Sequence, residues 1–597
     1  MRELAYLNKY FYKYKWYLIP GVIFVAISNY FGILPAQVIR EAFDLVKETI
    51  DLYRLYDGFE RQELLYKVFG STLLFFGALV FILALLRGLF LFLMRQTIIL
   101  TSRFIEYDLK NDIYEHYQSL DLAFFRRNNT GDLMNRATED VNQVRNYLGP
   151  ALMYAINTIV LSIMIIFSMY RVNANLATYA LLPIPILSII ILFVNKLINQ
   201  RSERIQRQLS KLSSFVQETF SGIRVVKAYS KEEDKKAVFA EQSNTYRDES
   251  LSLVRVQAVF FPMILFLIGL STIITVYVGG LEVDKGRITA GNIAEFIIYV
   301  NQLTFPAMSL AWVTSLIQRA AASQKRINEF LNTKPDITSG TTSKKLTGSI
   351  QVENLSFTYP DTGIKAIDGI SFTIDPGETV ALIGRTGSGK STLANLLMRM
   401  YDRDEGSILY DGVPIEQFTF QSLRSQIGFV PQQLFLFSDS IANNIAFGLD
   451  EFTREQVEQA AKDAVVYHNI IDFKEGFDTE IGERGITLSG GQKQRLSIAR
   501  ALIKDPQVLI FDDSLSAVDT KTEEQILNTL KKLMANKSTL FIAHRISTIK
   551  HADKILVLDD GQIIESGNHE ELLKLQGSYY ELYQKQQLET AEQSIEE

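Results

Sequence analysis

A glycine-rich segment that ends in lysine and serine is the part of this chain whose residue types most clearly predict chemistry. Residues 384–391 read GRTGSGKS and match the pattern G-x-x-x-x-G-K-[ST] at every fixed position. The apolar run before it, Val380 to Ile383, predicts a buried strand. In such a loop, backbone N–H groups surround phosphate oxygens, Lys390 reaches the β and γ phosphates, and Ser391 offers its hydroxyl to Mg²⁺. The predicted phosphate-site residues are Gly384, Arg385, Thr386, Gly387, Ser388, Gly389, Lys390, Ser391 and Thr392.

Two adjacent carboxylates follow a second apolar run. Val508 to Phe511 predict a buried strand, and Asp512 and Asp513 come directly at its end. A P-loop enzyme places at this point the acid that holds Mg²⁺ through water. An apolar strand that ends in aspartate is common by itself, so Asp512 becomes a candidate metal residue only together with the phosphate loop.

Length and composition restrict the classes of protein to consider. The chain has 597 residues, which is too many for one core, so we expect at least two domains. A formal net charge of -6 gives no bias toward polyanions, so nucleic acid is not an expected partner. The chain has no cysteine and only 5 scattered histidines, which excludes disulfides, thiolate metal sites and zinc-type spacing.

The first half of the chain contains six apolar stretches, each long enough to cross a bilayer. They cover residues 16–39, 71–94, 150–170, 174–197, 256–278 and 293–316. A cleaved signal peptide is the alternative for the first stretch, but the run is long for one and has no small-x-small cleavage site. Basic residues dominate the segment before it, which predicts a cytoplasmic N-terminus in the cell membrane. An even number of spans returns the chain to the cytoplasm.

The composition also predicts the domain organisation. Residues 1–332 are interpreted as an all-α membrane domain, with residues 40–70 outside as an amphipathic extension of the first two helices. Residues 333–348 are rich in Thr, Ser, Gly and Lys and predict a linker. In residues 349–585, strand and helix patterns alternate, which predicts an α/β P-loop ATPase domain. Residues 586–597 predict a frayed acidic tail.

A third motif between the phosphate loop and Asp512 carries a family resemblance. Leu488, Ser489, Gly490, Gly491 and Gln492, followed by KQRLSIARAL, resemble the signature of ABC transporter ATPases. Six spans followed by these motifs in this order resemble a type IV ABC exporter half-transporter, close to bacterial multidrug and lipid exporters. The resemblance implies a dimer that binds ATP and Mg²⁺ between the phosphate loop of one subunit and the LSGGQ of the other.

The resemblance also assigns roles to further residues. Tyr359 matches the aromatic residue that stacks on adenine, Gln432 the glutamine that contacts Mg²⁺, and His544 the switch histidine at the γ-phosphate. A lone histidine is otherwise more often a core residue. Asp519 ends a segment, 516–519, that resembles the loop crossing the dimer interface. Three ranges match other elements of the family: 479–485 the exporter X-loop, and 119–127 and 220–229 the two coupling helices.

Asp513 departs from the family pattern. A glutamate normally follows the metal-holding aspartate, where it orients and polarises the attacking water. One methylene less withdraws the carboxylate by about 1 to 1.5 Å, and a general base must lie within roughly 2.6 to 3.2 Å of its proton donor. We therefore expect weakened hydrolysis at this site. Such an aspartate is typical of one subunit in heterodimers, which we slightly favour, although the intact His544 keeps a homodimer open.

The membrane domain predicts the class of cargo only broadly. Arg87 lies in an otherwise uncharged run, so it is either a functional residue or a side chain that snorkels to the headgroups. The sixth span is rich in aromatic and aliphatic residues and has no basic residue, which suits hydrophobic or amphipathic drugs or lipids. Three alternatives are a membrane-anchored regulatory ATPase without transport, an importer, and a lipid flippase with narrow specificity. Six spans with long loops argue against the first, and a single chain carrying both domains argues against the second.

Overall fold

The chain folds into two compact units. A computed structural model describes residues 2–55, 61–482, 488–515 and 520–596. The first unit comprises Met1–Gln118 and Gly131–Thr333, and the second comprises Ser119–Thr130 and Lys334–Glu597. The sequence prediction assigned all of residues 1–332 to the membrane domain, whereas the structure groups the short segment Ser119–Thr130 with the second unit.

The first unit is built of long helices, and among the described residues six are long and apolar enough to cross a membrane. This confirms the predicted number of helices of that length and composition. In chain order the α-helices before residue 332 are α1 (Asn8–Lys13), α2 (Lys15–Leu55), α3 (Arg61–Ser119), α4 (Leu122–Arg127), α5 (Thr130–Asn135), α6 (Val141–Asn146), α7 (Leu152–Val172), α8 (Ala174–Leu181), α9 (Pro183–Ser221), α10 (Ile223–Ala228), α11 (Glu232–Asp284) and α12 (Ala290–Leu331). A 3₁₀ turn covers Arg2–Leu7. π-Helical turns over Arg136–Asp140 and Tyr147–Ala151 join α5, α6 and α7 into one continuous helical segment.

The helices extend beyond the apolar stretches. Helix α2 continues to Leu55 and α3 begins at Arg61, so charged turns prolong the first two spans on the side predicted to be outside. The fourth span is divided at Leu182, because Pro183 lacks the N–H that a continuous helix would need there. The sequence prediction treated this span as unbroken.

The second unit contains two sheets. The strands are β1 (Ile350–Thr358), β2 (Lys365–Ile374), β3 (Thr379–Gly384), β4 (Glu405–Tyr410), β5 (Val413–Pro414), β6 (Ile427–Val430), β7 (Val508–Asp512), β8 (Ser538–Ile542), β9 (Lys554–Asp559) and β10 (Gln562–Gly567). The order β10-β9-β3-β8-β7-β6 forms the larger sheet, in which β9, β3, β8, β7 and β6 run parallel. The smaller antiparallel sheet has the order β2-β1-β4-β5.

The second unit also contains helices, which together with the larger sheet confirm its predicted α/β class. They are α13 (Lys390–Leu397), α14 (Phe420–Arg424), α15 (Ile441–Ala446), α16 (Arg454–Asp463), α17 (Tyr467–Ile471), α18 (Gly490–Leu502), α19 (Thr520–Met534), α20 (Ile546–Ile549), α21 (His569–Leu575) and α22 (Ser578–Glu596). Short 3₁₀ turns lie at Ile415–Gln417 and Gly476–Asp478. One hydrophobic core cluster contains residues of β3, β7 and β8 together with α15, α16, α18 and α19, as well as Tyr579 of α22.

Two connecting segments are packed more closely than their composition predicts. The irregular segment before β1 belongs to the second unit and hydrogen-bonds within it, where the backbone N–H of Thr342 donates to the carbonyl of Gln417 at 2.8 Å. The segment Ser119–Thr130 is anchored in the same unit through two residues. Ala123 belongs to a core cluster of the unit, and the Asp121 carboxylate accepts from the N–H of Asp336 at 2.8 Å.

The last helix also differs from the prediction. Helix α22 runs to Glu596, through most of the region expected to be a frayed tail. Its Gln586 side chain hydrogen-bonds to backbone groups of His544 and Ile546, and its first turn is anchored in the core by Tyr579, which is 0% exposed. These contacts give the helix tertiary support that composition alone does not reveal.

Candidate ATP site

Three parallel strands bring the predicted catalytic segments to one edge of the larger sheet. Strand β8 lies between β3 and β7, and Ile542 is paired with Leu382 on one side and with Asp512 on the other. The phosphate loop follows β3, Asp513 follows β7, and His544 follows β8. The carboxyl ends of neighbouring parallel strands are where α/β proteins bind ligands.

The glycines of the phosphate loop fit their positions closely. Gly387 and Gly389 have φ values of +89° and +104°, in the left-handed region that favours glycine. A Cβ atom at Gly389 would lie 2.3 Å from the carbonyl oxygen of Ala366, and one at Gly384 would lie 2.0 Å from that of Leu558. The loop therefore accepts only glycine at positions 384 and 389. Helix α13 begins directly after the loop, at Lys390.

Lys390, Ser391 and Asp512 converge below the loop. The Lys390 Nζ donates to the carbonyl oxygens of Gly384 at 2.8 Å and Arg385 at 2.7 Å, and the Ser391 Oγ donates to Asp512 Oδ1 at 3.0 Å. A hydroxyl and a carboxylate are oxygen ligands of the kind that Mg²⁺ prefers. The residues present thus fit a triphosphate with Mg²⁺, which supplies charge neutralisation at the phosphates when bound.

Burial sets the electrostatics of this group. Burial lowers the pKa of Lys390, and the negative charges of Asp512 and Asp513 oppose that shift. Burial also raises the pKa of Asp512, while the hydrogen bond from Ser391 acts in the opposite direction and the charge of Asp513 adds to the increase. A nearby cation would therefore stabilise the ionised form of the Asp512 carboxyl group.

Asp513 and His544 flank the end of β8. The backbone N–H of Asp513 donates to the carbonyl of Ile542 at 2.8 Å, and its φ is +48°. His544 is half-buried and close enough to Asp512 to oppose the rise in the pKa of that carboxyl. The backbone of Asp513 is thereby fixed, and the reach of its carboxylate depends on the side chain.

Tyr359 lies near the start of α13, and its hydroxyl is 2.9 Å from the Thr392 hydroxyl. The guanidinium of Arg126 lies 4.7 Å from the centre of the Tyr359 ring and donates to the Tyr401 hydroxyl at 3.2 Å. Sequence reasoning assigned the segment around Arg126 to a coupling helix but did not predict this contact. The basic pair at the end of α4 was the available signal, but its partner is distant in sequence.

The LSGGQ segment stands at the beginning of α18. Ser489 and Gln492 form a capping box, in which the Ser489 Oγ accepts from the N–H of Gln492 at 3.3 Å and the Gln492 Oε1 accepts from the N–H of Ser489 at 2.9 Å. Helix α18 packs against β6, α15 and α16.

The remaining predicted residues are partly described. Gln432 is exposed and follows β6, the strand paired with β7. Residues 483–485 of the X-loop match lie outside the described residues, as does the whole segment 516–519 with Asp519.

Comparisons with known proteins agree with this architecture. Residues 17–307 match the family described as the ABC transporter transmembrane region, and residues 367–516 match the ABC transporter family. The chain is 33% identical over 593 residues to the multidrug resistance-like ATP-binding protein MdlA of Escherichia coli, covering 99% of this chain and 98% of that protein. It is 37% identical over 508 residues to an ATP-dependent lipid A-core flippase of Pseudomonas fluorescens, covering 84% of each chain.

A solved structure extends the similarity to the fold of the whole chain. The structure of a bacterial Atm1-family ABC exporter with ATP bound matches with a TM-score of 0.74 at 27% identity, covering 96% of this chain and 98% of that one. The chain belongs to the ABC transporter family, as a type IV exporter half-transporter that couples ATP hydrolysis to transport.

Proposed function

We propose that Lys390, Ser391 and Asp512 form the centre of an Mg²⁺-ATP site that drives export. The convergence of these three side chains below the phosphate loop is the observation that carries the proposal. Lys390 would neutralise the β and γ phosphates, and Ser391, Asp512 and Gln432 would hold Mg²⁺. Tyr359 would stack on adenine, while Asp513 and His544 would position the attacking water and the γ-phosphate.

The test is ATP hydrolysis by Lys390→Ala in detergent or nanodiscs. We expect nearly complete loss of turnover, because the alanine removes the cation at the β and γ phosphates. Lys504→Ala is the control, since Lys504 is a half-buried lysine that, like the buried Lys390, donates to backbone carbonyls, those of Arg424 and Ile427. Turnover at the wild-type level in Lys390→Ala would refute the site.

We propose that Asp513 makes this subunit's ATP site catalytically weak. Its backbone is fixed by the hydrogen bond to Ile542, so the shorter side chain cannot be compensated by a shift of the main chain. The chain's own LSGGQ is intact and would complete a competent site on a partner. We therefore favour a heterodimer with a second half-transporter over a homodimer.

Purification of the chain expressed alone tests this assembly. A stable dimer with robust, cargo-stimulated ATPase would refute the heterodimer. An inactive chain that regains turnover with a co-expressed second half-transporter would support it.

We propose that the cargo is an amphipathic or hydrophobic compound, a drug or a lipid. The first unit has a cavity of about 320 Å³ whose lining combines amides, arginines and apolar side chains: Asn29, Arg87, Leu91, Met94, Arg95, Met153, Tyr154, Asn157, Leu161, Asn301, Gln302 and Phe305. A second cavity of about 620 Å³ shares Arg95, Met153 and Tyr154. This mixed lining supports the functional interpretation of Arg87. The names of the two relatives, for multidrug resistance and for lipid A-core flipping, are consistent with such cargo.

We further propose that the N-terminus and the ATPase unit face the cytoplasm, because basic residues dominate the segment before the first span. Inside-out vesicles test cargo and orientation together. ATP added outside such vesicles should drive uptake of a fluorescent amphipathic compound, and uptake of small hydrophilic solutes alone would contradict the proposed cargo class.

A further inference from the structure

One glutamine of the C-terminal helix holds the backbone on both sides of Arg545, next to His544. The Gln586 Nε2 donates to the carbonyl oxygen of His544 at 2.7 Å, and the N–H of Ile546 donates to Gln586 Oε1 at 2.9 Å. A carbonyl and an N–H can be paired by one amide in only one orientation. The side chain therefore clamps the turn that directly follows the switch histidine.

This turn lies where the chain leaves the sheet. The N–H of Ala543 still donates to the carbonyl of Leu382 at 3.2 Å, and helix α20 begins at Ile546. Arg545 lies between these points, and its guanidinium pairs with Glu523 at 3.1 Å. The Gln586 amide thus holds the two backbone groups that flank Arg545 at the passage from strand to helix.

The helix that carries Gln586 is itself anchored in the core. Tyr579, Leu582, Tyr583 and Gln586 follow the spacing of one helix face, and the first three pack in or against the core cluster that also contains Ile546. The Tyr579 hydroxyl lies 2.7 Å from His569 Nδ1, and the N–H of Tyr579 donates to the Glu565 carboxylate at 3.1 Å. The position of Gln586 is therefore set by packed neighbours.

We propose that Gln586 is a positioning residue for ATP hydrolysis. It fixes the backbone around His544, so that the C-terminal helix determines where the imidazole meets the γ-phosphate. This inference rests on the proposed role of His544. Each of the two hydrogen bonds contributes modestly, but together they restrain a turn on which a catalytic distance depends.

The first test is amide hydrogen exchange on the full-length protein, which does not depend on catalysis. In Gln586→Ala we expect exchange in residues 544–546 to be at least about tenfold faster, because the Ile546 N–H loses its acceptor. Gln587→Ala is the matched control, since Gln587 is an exposed glutamine of the same helix, and its exchange should match the wild type. Wild-type protection in Gln586→Ala would overturn the clamp.

The second test is turnover in the active assembly. Gln586→Ala should lower kcat about three- to tenfold with the KM for ATP within about twofold, and it should cause no further loss in a His544→Ala background. Additive losses in the double variant would show that Gln586 acts elsewhere and would overturn the proposal. Wild-type turnover in His544→Ala alone would refute the role of His544, whereas the exchange result would still decide whether the clamp exists.

Truncation gives an independent check. Removal of residues 588–597 keeps Gln586 and should preserve turnover, whereas removal of residues 584–597 should reproduce the Gln586→Ala phenotype. Equal turnover of the two truncated proteins would contradict the proposal.

Discussion

The substitution Asp513→Glu tests the carboxylate-reach argument directly. Because the Asp513 N–H is bonded to Ile542 and the preceding Asp512 is paired in the sheet, the added methylene must extend the carboxylate rather than move the backbone. An extension of about 1 to 1.5 Å is comparable to the difference between a productive and an unproductive contact with water. General-base catalysis is typically worth about 10²- to 10⁴-fold, so a partial recovery should raise kcat at least about tenfold.

The assay is steady-state ATP hydrolysis in nanodiscs, with the partner subunit present where activity requires it. Asp513→Gln is the length control, since it adds reach without charge and should give no increase. Asp513→Asn keeps the length, removes the charge and should lower the residual turnover. Glutamate tolerates the φ of +48° less well than aspartate, so we expect a stability loss of about 1 kcal/mol. Unchanged or lower kcat in Asp513→Glu, with the fold retained, would refute the reach argument.

Local contacts give three further predictions. Gly389→Ala should weaken ATP binding at least about tenfold in a fluorescent-nucleotide titration, since the added Cβ would lie 2.3 Å from a carbonyl oxygen. Gly387→Ala should have a smaller effect, because a Cβ added there would have no neighbouring atom within 4 Å. Arg126→Ala should raise the KM for ATP about two- to fivefold, because it removes the cation–π contact with Tyr359. Arg127→Ala, which removes an ion pair with Asp336 instead, should leave the KM unchanged, and equal effects of the two variants would contradict a role of the cation–π contact in ATP binding. Arg87→Gln should reduce vesicle uptake of anionic amphipathic compounds more than that of cationic ones, and equal reduction would argue against a cargo contact.

The features predicted correctly from the sequence are those that a pattern of consecutive residues indicates. The strand and glycine-rich loop before Lys390, the strand that ends at Asp512 and the six apolar spans each have a local pattern, because backbone geometry and bilayer thickness impose a spacing on neighbouring side chains. The pairing of Asp512 with Ile542 has no such local pattern, because it depends on which strand lies beside β7 and in which register.

The features that were missed depend on partners far apart in the chain. Nothing near Gln586 indicates that its amide meets His544, and the acidic composition after it predicts fraying rather than a helix with tertiary support. The contact of Arg126 with Tyr359 likewise joins residues that no local pattern relates. Proline at position 183 did signal the break in the fourth span, but hydropathy alone concealed it.

The contact of Gln586 with His544 and the contact of Arg126 with Tyr359 both bear on how the ATP site is controlled. The groups proposed to bind and hydrolyse ATP stand at the ends of three adjacent strands, so the sheet fixes most of them directly. Arg126 at the proposed adenine end comes from a short segment joined by the chain to the second and third spans. Gln586 at the switch end comes from the last helix. Variants of Arg126 should therefore change the response of the ATPase to cargo, whereas variants of Gln586 should change the hydrolytic step whether or not cargo is present.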